Sequence, residues 1–234
     1  MRTRELRIPL RELGEVGATL AMPAGLRFPY GVLLAHGAGN DRFAPLLVHV
    51  QQGLARHGVP CGTFNFPYKE RSARLPDPFP VLMETYRQVL RYLRARMARA
   101  VGAWVIGGKS LGGRVASHLA AEGEEVRGLV FLGYPLHPAS NPERLRVEHL
   151  PRIRVPMLFV QGTRDALCDL QILGNVLLRL AHDYGCRAEL ATIDGGDHSF
   201  VLPRSLGHQQ ANVYEQIVQR IHGWLESLAE GPRS

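Results

Sequence analysis

The chain has 234 residues, of which 45% are hydrophobic and 21% charged, a balance typical of globular proteins. Glycine and proline, at 25 and 16 residues, stay below the share found in low-complexity chains, which disfavours disorder and collagen-like fibres. The formal net charge is +7, but the arginines are scattered, and their one dense group falls on the polar face of a predicted helix. No nucleic-acid partner is therefore expected.

The cysteines and the apolar stretches of the sequence indicate the cellular compartment of the protein. The three cysteines are an odd number without a C-x-x-C pair, which fits neither a disulfide framework nor a zinc site. No apolar stretch approaches the ~20 residues of a membrane span, and no apolar signal segment follows the first residues. We therefore predict a single cytoplasmic domain, 1–234, with no metal and no membrane contact.

In chain order, apolar runs of strand length alternate with segments of helical periodicity. The predicted strands are 6–10, 18–22, 32–35, 59–65, 103–106, 128–132, 156–161 and 187–193. The predicted helices are 44–57, 81–98, 111–121, 169–183 and 209–228. From residue 32 onward, this alternation favours an α/β fold with a mostly parallel, twisted sheet of about seven or eight strands and helices on both faces. No helix separates the first two strands, which are expected to form an antiparallel entry pair.

One serine follows a predicted strand in a setting that favours a nucleophile. Residues 108–112 read Gly-Lys-Ser-Leu-Gly, a G-x-S-x-G pattern between an apolar strand and a helical segment. Such a turn has strained backbone angles that leave the hydroxyl of Ser110 free, and its glycines make room where strand and helix crowd together. The alternative is a glycine-rich turn whose serine only caps the helix.

A serine hydroxyl attacks efficiently only when a base accepts its proton and a carboxylate orients that base. Ligands of open α/β sheets bind beyond the carboxyl ends of the strands, and Asp165 and His198 each follow a later strand. The chain order serine, acid, histidine fits this arrangement, although turn or capping roles stay open for both residues. The rival acids are Asp169, which looks like a helix start, and Asp194 and Asp197, which lie close to His198 in sequence.

The oxygen that becomes negative on an attacked carbonyl needs preorganised N–H donors. One should be the backbone N–H of Leu111, directly after the serine, and the other should come from the loop after strand 32–35. That loop reads His-Gly-Ala-Gly-Asn-Asp, and Ala38 is the preferred donor. His36 is expected to be a buried structural ring, with a role as the base as the less favoured alternative.

Four motifs together resemble those of α/β hydrolases, of the small, cap-poor kind related to dienelactone hydrolase. They are HGAG at 36–39, GGKSLGGR at 107–114, GTRD at 162–165 and GDHS at 196–199. They are also similar to motifs of predicted hydrolases grouped with testis-expressed protein 30 and the third subunit of the NSL histone acetyltransferase complex. The resemblance implies Ser110 as nucleophile, Asp165 as acid and His198 as base. For a serine hydrolase of this kind we expect no metal or organic cofactor. Dienelactone hydrolase has a cysteine in place of the serine, so its substrate is not carried over.

Two segments are expected to shape the substrate site. Residues 133–155 and 66–80 both contain several prolines and are too short for a cap domain. We expect a shallow, largely open site whose walls are Phe66, Tyr68, Tyr134 and Leu136. The alternative is that these segments merely pack on the edge of the sheet.

These features favour a serine hydrolase that cleaves a small carboxylic ester, or a thioester, through an acyl-enzyme. Its partner would be a small ester-like molecule. The alternative is a non-catalytic protein-interaction module on the same fold. An intact set of serine, acid and base argues against that alternative, because a scaffold gains nothing from keeping the three in register.

Overall fold

The computed structural model describes residues 1–205 and 210–229, and eight strands in this part of the chain form one sheet. The strands are β1 (Arg2–Leu10), β2 (Gly14–Met22), β3 (Tyr30–Ala35), β4 (Cys61–Phe64), β5 (Ala103–Lys109), β6 (Gly128–Leu132), β7 (Met157–Gly162) and β8 (Ala188–Ile193). Their spatial order is β1-β2-β4-β3-β5-β6-β7-β8. β1 and β4 both pair antiparallel with β2, whereas all other neighbours pair in parallel. The predicted parallel sheet with its antiparallel entry pair is confirmed.

Helices cover both faces of the sheet, as predicted. They are α1 (Pro45–Arg56), α2 (Pro67–Glu70), α3 (Phe79–Met97), α4 (Leu111–Ala121), α5 (Leu170–Tyr184) and α6 (Gln210–Ala229). Apolar residues of α3, α4 and α5 join the hydrophobic core on one face, and those of α1 and α6 join the core on the other. The last predicted helix begins at Gln209, which lies outside the described residues; the rest of that helix agrees with α6.

The strand order reverses direction at β3, which lies between β4 and β5. The chain runs from β3 outward to β4 and then returns to the other side of β3 as β5. At such a reversal the loops after the two neighbouring strands separate and leave a crevice at the carboxyl edge. The segment that follows Ala35 and the turn at Ser110 are these two loops.

The entry pair extends further than the sequence indicated. β1 and β2 each begin four residues earlier than predicted and pair from Arg2 opposite Met22 to Leu10 opposite Gly14. The first half of β1 carries exposed charged residues, which interrupt the apolar pattern of a buried strand. Charged side chains on an edge strand discourage pairing with the strands of other chains. The residues that make the first half of β1 difficult to predict therefore also disfavour aggregation at this edge.

No cap domain covers the carboxyl edge of the sheet within the described residues. The segment 133–155 contains only a 3-10 turn at Leu150–Arg152, and the segment 66–80 contains only α2 and the start of α3. Neither α2 nor the 3-10 turn was predicted, because a single turn has no hydrophobic periodicity to recognise. Among the described residues, no helix combines the length and the apolar character needed to cross a membrane.

Tyr86 on α3 ties β3 to β5 beneath the two loops. Its buried hydroxyl lies 2.6 Å from the carbonyl oxygen of Leu33 and 2.8 Å from that of Gly107. The same oxygen accepts a hydrogen bond of 2.9 Å from the backbone N–H of Gly107. Because a hydroxyl has one hydrogen and two lone pairs, it donates to one carbonyl at a time while it accepts from the amide.

Replacing Tyr86 by Phe should lower the free energy of unfolding by about 1–3 kcal/mol, because the buried Gly107 N–H loses its acceptor. Urea unfolding followed by circular dichroism measures the difference. Tyr92→Phe on the same helix is the matched control, since its hydroxyl makes no hydrogen bond within the described residues. Identical unfolding midpoints for the Tyr86→Phe protein and the native protein would contradict the role of this hydroxyl.

Candidate active site

The turn between β5 and α4 holds Ser110 in a strained conformation. Its φ is +50° and its ψ is −108°, a left-handed region that residues other than glycine rarely adopt. A Cβ atom at Gly108 would lie 2.2 Å from the carbonyl oxygen of Ala35, and one at Gly112 would lie 2.3 Å from the same oxygen. Only glycine fits at either position, so the spacing of the motif follows from the close approach of β3, β5 and α4.

The structure brings together the three side chains that the sequence singled out. His198 Nε2 lies 2.9 Å from the hydroxyl oxygen of Ser110, and His198 Nδ1 lies 2.8 Å from Oδ2 of Asp165. The three residues follow β5, β7 and β8, so strand ends far apart in sequence meet at one edge of the sheet. With Asp165 ionised, Nδ1 carries the ring proton and Nε2 is free to accept the proton of the serine hydroxyl.

Asp165 is held by hydrogen bonds on both carboxylate oxygens. Its side chain is fully buried. Oδ2 accepts a second hydrogen bond, of 2.9 Å, from Gln161 Nε2, and Oδ1 accepts one of 2.8 Å from the Leu167 N–H. Gln161 itself accepts a hydrogen bond of 2.7 Å from the backbone N–H of Tyr134, which fixes its amide. Gln161 was missed by the sequence analysis, although a polar residue near the end of an otherwise apolar strand is a recognisable signal.

The rival carboxylates are engaged elsewhere. Asp169 caps α5 by accepting hydrogen bonds from the first backbone amides of that helix. Asp194 lies 3.3 Å from the hydroxyl of Thr163. Asp197 accepts hydrogen bonds from two backbone amides of its own turn, which follows β8. Among the four acids considered, Asp165 is the one whose carboxylate contacts His198.

Two backbone amides near Ser110, those of Leu111 and Ala38, have no hydrogen-bond partner among the described residues. The N–H of Leu111 is the first of α4, so it has no acceptor inside the helix. Ala38 is exposed in the loop after β3, and its N–H donates no hydrogen bond within the described ranges. The hydroxyl of Tyr68 donates to the carbonyl oxygen of Ala38 at 2.9 Å, which ties the loop to Tyr68 directly after this N–H.

His36 is a buried structural ring, as expected. Its Nδ1 donates to the carbonyl oxygen of Gly37 at 2.8 Å, and its Nε2 accepts from the N–H of Phe66 at 3.1 Å. Burial lowers the pKa of His36 to about 4, so the ring is neutral at physiological pH. It joins the loop after β3 to the loop after β4.

The four aromatic and aliphatic residues expected as walls occupy a different place. Phe66, Tyr68, Tyr134 and Leu136 are all fully buried in the core that contains α3 and α4. In this structure they present no surface to a substrate, and the expectation that they wall the site is corrected. Three of them make hydrogen bonds that hold the loops of the site: Phe66 N–H donates to His36, the Tyr68 hydroxyl to the Ala38 carbonyl oxygen, and Tyr134 N–H to Gln161.

A second serine–histidine pair lies in the protein interior. Ser117 Oγ is 2.7 Å from His149 Nε2, and His118 stacks on His149 with ring centroids 3.7 Å apart. Ser117 is fully buried and also donates to the carbonyl oxygen of Arg114 at 2.7 Å. Burial lowers the pKa of His149 to about 3. A hydroxyl without access to solvent cannot meet a substrate, so this pair has a structural role.

Lys109, directly before Ser110, is an unexpected buried cation. The residue is 8% exposed, and its ammonium nitrogen makes no hydrogen bond within the described part of the chain. Burial lowers the pKa of Lys109 from 10.5 to about 8, against the opposing charges of Asp165 and Asp197. No pattern in the sequence marks this residue, because it occupies a variable position of the G-x-S-x-G pattern.

Replacing Lys109 by Met should stabilise the protein at pH 7. The folded state holds this proton less tightly than the unfolded chain, so the cost of burying the charge is present below pH 8 and fades as pH rises toward 10.5. The shift corresponds to a gain on the order of 3 kcal/mol at pH 7. Urea unfolding of the native protein and of Lys109→Met at pH 7 and near pH 10.5 measures the difference in unfolding free energy. Lys69→Met is the control, and a Lys109→Met protein no more stable than the native one at pH 7 would refute the prediction.

The fold and the arrangement of serine, histidine and aspartate at the carboxyl edge define the class of α/β-hydrolase-fold proteins. A family model described as an alpha/beta hydrolase domain matches residues 29–226, and the chain belongs to this family.

Solved structures agree with this assignment. Dienelactone hydrolase from Anabaena variabilis has a TM-score of 0.72 and 19% identity, with 97% of each chain covered. An α/β serine hydrolase without a lid from Xanthomonas campestris has a TM-score of 0.70 and 19% identity, covering 94% of this chain and 95% of its own. An esterase from Pyrococcus furiosus has a TM-score of 0.73 and 15% identity, covering 97% of this chain and 92% of its own. At these identities the similarity concerns the fold.

Proposed function

We propose that the protein is a serine hydrolase that cleaves small carboxylic esters, or thioesters, through an acyl-enzyme. The observation that carries the proposal is the continuous line of hydrogen bonds from Ser110 through His198 to the buried Asp165. An activated nucleophile needs a base within about 2.6–3.2 Å and a third group that orients the base, and both distances fall in this range. The proposed chemistry uses only these three side chains and two backbone amides.

In the proposed mechanism, Ser110 Oγ attacks the carbonyl carbon of the ester while His198 Nε2 accepts the hydroxyl proton. The carbonyl oxygen becomes negative, and the amides of Ala38 and Leu111 donate hydrogen bonds to it; each such donor contributes about 2.7–4 kcal/mol to the transition state. The intermediate then expels the alcohol or thiol, which takes the proton from His198. A water molecule repeats the attack on the acyl-enzyme, releases the carboxylic acid and restores Ser110.

Several features support a small, ester-like substrate in particular. No cap domain encloses the site within the described residues, so little protein surface is available to bind a long substrate. Two of the structural neighbours are named as an esterase and as dienelactone hydrolase. The four motifs also support a place for this chain beside the group of testis-expressed protein 30. The three buried, free cysteines support a cytoplasmic location.

Ser110→Ala should abolish covalent labelling by a fluorophosphonate probe and the hydrolysis of short aryl esters, because the attacking oxygen is removed. Mass spectrometry of the labelled native protein should place the added mass on Ser110. Ser117→Ala is the matched control, since it removes the hydroxyl of the buried serine–histidine pair and should leave labelling intact. Full ester turnover by the Ser110→Ala protein would end the proposal, and a panel without any turnover would favour the interaction-module alternative.

Asp165→Asn should lower kcat by about 10⁴-fold while the fold is kept, which is the scale of this change in serine proteases. The amide keeps the size of the side chain but no longer favours the tautomer in which Nδ1 of His198 carries the proton. Steady-state hydrolysis of an aryl ester measures the loss. Asp169→Asn is the control, because asparagine caps α5 as well as aspartate does. Equal losses in both variants would contradict a special role for Asp165.

A further inference from the structure

The ammonium group of Lys109 lies where three loops of the site meet. Its nitrogen is 2.9 Å from the position that a Cβ atom would take at Gly133, and the same position lies 3.1 Å from the carbonyl oxygen and 3.6 Å from Cε1 of His198. The lysine stem passes Gly37, where a Cβ atom would lie 3.5 Å from Lys109 Cγ. The side chain therefore runs from the loop after β3 to the segment that carries His198.

The direction of this side chain follows from the strand that precedes it. Side chains alternate between the faces of a strand, so Lys109 shares a face with Val105, which belongs to the core of α1 and α6. The ring centroid of Phe200, in the same core, lies 5.9 Å from the ammonium nitrogen. An ammonium group in such a core is costly unless it has partners, and this cost is absent for an apolar side chain of the same length. A residue kept against stability points to a role in function.

The segment that carries His198 combines a tight turn with a strained residue. Residues 197–201 form a tight turn in which Asp197 Oδ1 accepts hydrogen bonds from Ser199 N–H at 2.7 Å and Val201 N–H at 2.9 Å. Phe200 adopts a φ of +61°, which is strained for an aromatic residue and persists only where the surroundings enforce it. We call residues 197–201 the base loop.

Three charged or titratable groups face the ammonium group from the elements packed against it. Asp165 belongs to the loop after β7, and Asp197 and His198 belong to the base loop. The two carboxylates attract the ammonium group, and the Phe200 ring adds a cation–π contact. A single positive charge thus attracts both the loop that carries the acid and the loop that carries the base.

We propose that Lys109 is a positioning residue whose charged ammonium group holds the base loop against the ends of β5 and β6, so that His198 stays within reach of Ser110. This role rests on the proposed hydrolase function, but its structural part, the anchoring of the base loop, can be observed without turnover. Because the ammonium group loses its proton at about pH 8, the anchoring should weaken above that pH.

Three proteins that differ in the charge at position 109 test the proposal. The native lysine loses its charge at about pH 8, the arginine of Lys109→Arg keeps its charge, and the methionine of Lys109→Met is always neutral. For the hydrolysis of an aryl ester, kcat of the native protein should fall with a midpoint near pH 8 toward the value for Lys109→Met. We expect Lys109→Met to be about 10- to 100-fold slower at pH 7, without this fall, and Lys109→Arg to stay active through pH 9.

Amide hydrogen exchange provides the readout that does not depend on activity. At pH 7, the amides of Phe200 and Val201 should exchange about ten-fold faster in Lys109→Met than in the native protein, whereas amides of β6 should not change. If Lys109→Arg fails to fold, the native protein and Lys109→Met decide the question by themselves. The proposal would be overturned if the base loop of a folded Lys109→Met protein exchanged at the rates of the native protein. It would also be overturned if kcat of Lys109→Met had the same pH dependence as kcat of the native protein. Faster exchange without any ester turnover would support the anchoring and count against the hydrolase function alone.

Discussion

The close approach of β3 and β5 at their carboxyl ends is the constraint on which the site depends. The carbonyl oxygen of Ala35 occupies the space that a Cβ atom would need at Gly108 or at Gly112, so backbone lies directly against backbone there. That contact forces the sharp turn at Ser110 and places the loop after β3 beside it. The nucleophile and both amides proposed for the oxyanion hole therefore depend on one packing contact between neighbouring strands.

Around this contact, buried polar groups that take no direct part in the proposed chemistry hold the strands, the loops and the acid of the site in place. Tyr86 joins the two strands from below, His36 joins the loops after β3 and β4, and Gln161 holds the acid. Each group has its hydrogen-bond partners inside the protein, which makes it costly to displace. The site is thus preorganised by polar groups that would be costly to bury without these hydrogen bonds.

Much of the fold was predictable because apolar periodicity and strand–helix alternation are local signals. β6 and α4 have the bounds that the pattern indicated, and the spacing of the G-x-S-x-G motif located the strained turn. The sequence also selected Ser110, Asp165 and His198, because strand ends of a parallel sheet share one edge. The distances among the three side chains, 2.9 and 2.8 Å, come from the structure.

The parts that were not predictable depend on the direction of side chains. Tyr68 and Tyr134 follow the carboxyl ends of β4 and β6, but their rings are buried in the core, and no local pattern distinguishes the two directions. Lys109 is also buried against expectation. A lysine beside a serine is ordinarily solvated, whereas the alternation of side chains along β5 turns this one inward. The predicted range of β1 is too short, because charged residues on an edge strand resemble the sequence of a loop.

The absence of a cap domain within the described residues has a consequence for selectivity. An acyl chain gains about 0.8 kcal/mol for each methylene group only where protein surface removes that group from water. With the carboxyl edge of the sheet covered by two short segments, chains that extend beyond the reacting carbonyl stay largely hydrated. For the ester substrate that we propose, entry and departure would then need no conformational opening, and discrimination among homologous acyl groups would rest on the few atoms nearest the bond that is cleaved.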